Sequence, residues 1–189
     1  MPNALTGVRV LLAIPLTLLM LRDDRPSALL AALVLLVGIA TDVLDGAVAR
    51  RRRMASAAGG LFDHTADCLF VATGLAAGAA RGAFPWILPI LVVAAFGQYV
   101  VDSYWIHRRH ALRTSALGRC NGILYFAPLG GDVLARVGLD AVRPAVTALA
   151  WLLVGTTVLS MGERLRAVRR AKQGAPGLPV AGTEDRPPR

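Results

Sequence analysis

Charge is the scarcest commodity in this chain. Only 17% of its 189 residues are Asp, Glu, Lys or Arg, where an ordinary soluble domain carries about 25%. A water-soluble globule of this length is therefore disfavoured. Cysteine is nearly missing as well. Cys68 and Cys120 stand far apart with no CxxC spacing, which argues against a disulfide framework or a zinc site and leaves them as small apolar helix residues. The opening "MPNALTGVRV" has no basic n-region, and no small-residue cleavage site clearly follows the first apolar run, so no cleavable signal peptide is predicted. Acidic residues are outnumbered: the formal net charge is +9, almost wholly from arginine. Such a basic chain invites a nucleic-acid reading. Here the arginines lie beside apolar runs, so membrane topology and anionic headgroups explain them better, and no nucleic-acid partner is expected.

What the chain has in plenty is apolar sequence, 55% of residues with a mean hydropathy of +0.54. Several runs are long enough to cross a bilayer, which takes about 20 helical residues. The reading is an all-α, polytopic membrane protein with six transmembrane helices. One domain covers residues 1–172, and the Pro- and Gly-rich residues 173–189, "QGAPGLPVAGTEDRPPR", form a disordered tail. The spans run from about Ala4 to Leu21, from Ser27 through the early 40s and on as helix to Arg50, and from Gly59 to Ala80. The remaining three run from Phe84 to Ile106, Leu117 to Leu134 and Pro144 to Met161. Pro26, Pro85 and Pro144 sit at helix starts, while Pro15, Pro89 and Pro128 fall inside spans as candidate kinks.

Arginine placement tests the count. With six spans, 16 of the 21 basic residues fall on the side that holds both termini, including Arg50 to Arg53 and the seven from Arg164 onward. By the positive-inside rule both termini are cytoplasmic, in an integral protein of the cell inner membrane. The segment "ERLRAVRRAK" reads as a solvated basic end to the last helix.

Against this background "TDVLDGAVARRRRMASAAGGLFDHTAD" is anomalous, with four aspartates between apolar runs. Asp42 and Asp45 are three apart and share a helix face; Asp63 and Asp67 are four apart and share another. A short basic loop between two helices makes them antiparallel, so four carboxylates can converge at the cytoplasmic surface. Carboxylates that close repel one another unless protons or cations intervene. Hard divalent ions favour such all-oxygen ligands, and two of them can clamp a phosphate or diphosphate. Gly46 and Gly59 leave room for a ligand or a helix to come close. An interfacial ion network with Arg50 to Arg53 is the bland alternative, but four intramembrane acids at these spacings argue for function.

These residues resemble the CDP-alcohol phosphotransferase family. Its pattern D-x2-D-G-x2-A-R-x8-G-x3-D-x3-D is complete in Asp42, Asp45, Gly46, Ala49, Arg50, Gly59, Asp63 and Asp67, and the opening "PNALTGVR" is similar to the first helix of phosphatidylglycerophosphate synthases. The resemblance implies that Asp42, Asp45 and Asp63 hold two divalent ions, Mg²⁺ or Mn²⁺, with Asp67 sharing one. It implies that Asp67 is the general base, and that a CDP-lipid such as CDP-diacylglycerol gives its phosphatidyl group to an alcohol with release of CMP. Gly46, Ala49, Arg50 and Gly59 would lie along the donor, and Asn3, Thr6 and Arg9 at the first helix are candidates to touch the nucleotide or, equally, to cap and anchor the helix. A homodimer among membrane lipids is expected, with the small residues of "ATGLAAGAARG" permitting close helix packing.

The acceptor is a small alcohol, and glycerol 3-phosphate is the first choice. Arg108, Arg109, Arg113 and Arg119 are candidates for binding its phosphate, and "SALGR" is similar to the stretch that follows the fourth span in glycerophosphate-using relatives. The sequence "DHTADC" departs from the D-P-x-A-D-K of phosphatidylglycerophosphate synthases at His64 and Cys68, so an inositol phosphate or another alcohol stays open. Asp102 reads as structural or as part of an acceptor pocket. A membrane carrier for divalent metal is the alternative from another class.

Overall fold

A computed structural model describes residues 2–52, 57–101 and 116–173. Seven α-helices and one short 3-10 turn make up the described residues, with no strand among them: α1 (Pro2–Met20), α2 (Arg25–Arg52), α3 (Ala57–Ala80), α4 (Ile87–Val101), α5 (Ala116–Leu124), α6 (Phe126–Val137), the 3-10 turn (Asp140–Val142) and α7 (Arg143–Gln173). The all-α expectation holds. Residues 102–115, with Asp102, Arg108, Arg109 and Arg113, and the tail from 174 lie outside the described residues.

Local chemistry sets the helix ends. Asp24 caps α2: its carboxylate accepts from the Ser27 backbone N–H and from the Ser27 hydroxyl, each at 2.8 Å. The helix accordingly begins at Arg25, two residues before the Ser27 expected from hydropathy. α3 ends at a glycine in the left-handed region, Gly82 with φ +85°, whose N–H reaches back to the Ala79 carbonyl at 2.9 Å. The single fifth span expected from sequence is two helices, α5 and α6, divided at Tyr125. Pro128 has no N–H to offer the Leu124 carbonyl, which accounts for the break. Pro128 and Pro89 thus stand third in α6 and α4, inside the first turn, where a missing N–H costs little.

Each of the first three helices carries one inward stripe at helical spacing. On α1 it is Thr6, Arg9, Ala13, Leu16 and Met20, all buried; on α2 it is Ala28, Ala31, Leu35 and Gly38, ending in Asp42; on α3 it is Asp63, Asp67, Phe70, Gly74 and Ala77. The acids therefore extend core-facing stripes. α1 packs against both α2 and α3, and α4, α6 and α7 complete the bundle. A Cβ at Gly38 would lie 2.7 Å from Phe70 Cζ. That glycine leaves room for the Phe70 ring of α3 to reach α2, one turn from Asp42.

The opposite end of the bundle is tied by ions. Asp132 on α6 accepts from Arg81 at 2.6 Å and from Arg136 at 3.0 Å. Arg81 also reaches Asp23 at 2.8 Å and the Met20 carbonyl at 3.0 Å, and Arg136 donates to the Arg22 carbonyl at 2.9 Å. Two guanidinium groups thereby satisfy carbonyls at and just beyond the end of α1, the groups a helix C-terminus leaves without partners.

Candidate functional site

Where α1, α2 and α3 meet, three of the four motif aspartates gather around one cation. Arg9, fully buried, places Nη2 at 3.1 Å from Asp42 Oδ1 and Nη1 at 3.2 Å from Asp63 Oδ1, and the same Nη1 donates to Asp67 Oδ1. Asp42 comes from α2 and the other two from α3. The helical registers read from sequence put each acid on the inward face, and α1, packed against both α2 and α3, sets Arg9 among them. Without a cation among them the three carboxylates would repel.

Asp45, Gly46, Ala49 and Arg50 follow on the last turns of α2, and their side chains fall outside the described residues, as do those of Asn3 and Arg119 on α1 and α5. Thr6 is buried one turn before Arg9. Gly59 lies on the first turn of α3, one turn before Asp63.

A cavity of about 600 Å³ opens beside the acids, within the size range of small-molecule sites. Asp42, Asp63, His64 and Asp67 form its polar end, and Val71, Val92 and Phe96 its apolar wall. Asp63, His64 and Asp67 each bring one ligand atom within 4.8 Å of the others, so His64, which the sequence does not place among the metal ligands, belongs to the cluster. Its ring also lies 6.0 Å from that of Tyr99. The donor set fits a hard divalent ion: the carboxylates dominate and no thiolate joins them.

Two further features were not legible as site residues. Arg164 of α7 lines the cavity, its guanidinium 5.0 Å from the Tyr99 ring centre, a cation–π contact. In the sequence it is one charge in the basic end of the last helix. Across the cavity, Tyr125 and Thr157 hydroxyls meet at 2.7 Å, Asn121 donates to Thr157 at 3.4 Å, and Thr156 donates to Asn121 at 3.1 Å. This polar seam joins α5 to α7 and sits at the Tyr125 break. Its only sequence signal is polar residues within an apolar run.

Comparison with known proteins agrees with this arrangement. A family model described as CDP-alcohol phosphatidyltransferase matches residues 1–162. A curated relative from Pseudomonas fluorescens, CDP-diacylglycerol–glycerol-3-phosphate 3-phosphatidyltransferase, is 33% identical over 174 residues, covering 88% of this chain and 88% of its own length.

Proposed function

The chain belongs to the CDP-alcohol phosphatidyltransferase family, and from that premise we propose that it moves the phosphatidyl group of CDP-diacylglycerol to glycerol 3-phosphate and releases CMP. The observation that carries the proposal is the convergence of Asp42, Asp63 and Asp67 at the polar end of one cavity. The glycerol 3-phosphate acceptor is the substrate in the name of the Pseudomonas fluorescens relative. Arg164 in the cavity wall supports an acceptor that carries a phosphate.

In this proposal Asp42, Asp45, Asp63 and Asp67 hold two divalent ions, Mg²⁺ or Mn²⁺. When bound, these ions supply positive charge against the diphosphate and the departing phosphate. The chain's own residues do the rest. Asp67 accepts the proton of the acceptor hydroxyl as general base. The oxygen so freed forms a bond to the lipid-bearing phosphorus, the bond from that phosphorus to CMP breaks, and CMP leaves with the electron pair. Gly46, Ala49, Arg50, Gly59, Asn3 and Thr6 line the donor. Arg108, Arg109, Arg113 and Arg119 join Arg164 in drawing in the acceptor phosphate.

The setting proposed is an integral membrane protein of six spans, with α5 and α6 forming one of them, both termini cytoplasmic, and the acids at the cytoplasmic face. Two helices support a bilayer by length and composition, Arg25–Leu44 with mean hydropathy 2.3 and Asp140–Ala167 with 1.7. Large side chains exposed on outward faces add to them, such as Leu11, Leu36 and Trp151. The active assembly in this reading is a homodimer. The small residues of α3 already serve packing within the chain: a Cβ at Gly74 would meet Leu16 at 3.1 Å and one at Gly78 would meet Phe84 at 2.4 Å. The pairing face therefore lies elsewhere.

The test is CMP release by purified protein in detergent, given CDP-diacylglycerol, Mg²⁺ or Mn²⁺, and glycerol 3-phosphate, inositol 1-phosphate, inositol or serine. Glycerol 3-phosphate alone should support turnover, and Asp67→Asn should lower it by about 10²–10⁴-fold. Turnover with inositol 1-phosphate instead would reassign the acceptor. A folded protein that binds no CDP-diacylglycerol would move the metal-carrier alternative to the front.

A further inference from the structure

Arg9 poses a problem of charge that the proposed reaction must solve. Its guanidinium reaches the Oδ1 atoms of Asp42, Asp63 and Asp67 together. Those are oxygens that divalent cations would take. A guanidinium and a divalent ion on the same partly desolvated oxygens repel strongly, so both cannot keep them.

The grip of Arg9 is also incomplete. Nη1 donates to Asp63 and Asp67. Nε and Nη2 make no hydrogen bond, although Nη2 stands 3.1 Å from Asp42 Oδ1, and the whole side chain is 0% exposed. A buried donor left unused is costly, and a guanidinium with free N–H groups is suited to the oxygens of a phosphate.

We infer that Arg9 is a resident counter-ion of the carboxylate cluster. It neutralises the acids before metal and donor arrive, yields their oxygens to the divalent ions, and turns its unused donors to the diphosphate of the incoming CDP-lipid. The inference rests on the metal-dependent transfer proposed above. Its consequence is that metal bound alone leaves a buried cation beside a second positive charge. The donor brings the anion that resolves this, so each ligand strengthens the other by the same factor.

Direct contact between diphosphate and metal would also couple the two ligands. The diagnostic quantity is therefore the affinity for metal without donor. Full-length protein in detergent is titrated with Mn²⁺, and the free ion is read by electron paramagnetic resonance, with and without CDP-diacylglycerol. Wild-type protein should bind Mn²⁺ about tenfold more tightly with the donor present. Arg9→Gln should bind Mn²⁺ about tenfold more tightly than wild type in the absence of donor, and its gain on adding donor should shrink. A structural role for Arg9, holding the acids in place, moves the donor-free affinity the other way. Weaker or unchanged Mn²⁺ binding by Arg9→Gln overturns the inference.

Arg9→Lys covers the case in which Arg9→Gln does not fold. It keeps one charge but spans fewer carboxylates with a compact ammonium, so its donor-free affinity should rise by a smaller factor, about threefold; no rise overturns the inference. Wild-type protein that binds Mn²⁺ equally well with and without donor overturns the inference alone. Wild-type protein that binds no Mn²⁺ under either condition overturns the metal-dependent reading beneath it.

Discussion

Arg164 is one of seven basic residues from its position to the end of the chain, and a charge count gives it no distinction. Its distinction is contact: α7 brings it into the cavity wall and against Tyr99. A guanidinium held on a ring face is oriented before a ligand arrives, and less freedom is lost when it binds an anion. Arg164→Ala should therefore raise the KM for glycerol 3-phosphate by about 10–100-fold, the worth of one charge-assisted hydrogen bond, with a smaller change in kcat. Steady-state kinetics with varied acceptor checks this, and Arg164→Lys should recover part of the loss. An unchanged KM with a lower melting temperature would make the residue a packing partner of Tyr99 only. His64 makes a similar point. In the sequence it stands out only as a departure from the D-P-x-A-D-K pattern, and the turn of α3 brings its nitrogen within 4.8 Å of Asp63 and Asp67 ligand atoms.

Helices carry the next layer, and their ends are decided by a few side chains. Asp24 at the start of α2 has its pKa held below the usual carboxylate value of 3.8 by hydrogen bonds from the Ser27 N–H and then its hydroxyl. A depressed folded pKa means that its stabilisation is whole above the unfolded value and fades as pH falls through the folded one. Asp24→Ala should lower the melting temperature at pH 7, and the gap to wild type should narrow below about pH 4. Thermal unfolding followed by circular dichroism across pH 3–7 reads both effects. From the sequence only Pro26 marks this start, with the span placed from Ser27; the Asp24 cap emerges from its hydrogen bonds to Ser27. The division of the fifth span was legible only in part. Pro128 marks where one backbone hydrogen bond must fail, but whether the helix bends or stops there depends on its neighbours, here the Tyr125–Thr157 contact with α7.

At the scale of the whole molecule the outward faces dominate. Leu11, Ile14 and Leu18 on α1, Leu33 and Leu36 on α2, and Trp151, Leu152 and Leu159 on α7 are each more than half exposed, between 55% and 68%. Large contiguous apolar patches are rare on monomeric soluble proteins, and large exposed apolar side chains on three helices fit a lipid surround. The protein should stay with the membrane pellet after alkaline carbonate washing and leave it only in detergent, read by blotting of the two fractions. Recovery in the carbonate supernatant would count against the integral-membrane reading.

Sequence alone determined what depends on near neighbours along the chain: helical segments, their inward stripes, and the pairing of Asp42 with Asp45 and of Asp63 with Asp67 on shared faces. Those follow from 3.6 residues per turn and hold wherever a helix forms. It also carried the family signature, because that signature is a local spacing. The tertiary structure decided which distant groups meet the acids. Arg9 lies 33 residues before Asp42 in the chain yet reaches it at 3.1 Å, since α1 packs against both α2 and α3 and carries Arg9 to the acids of each. Arg164 reaches the same cavity from α7 for a like reason. Periodicity selects the face a side chain occupies; only packing selects what that face meets.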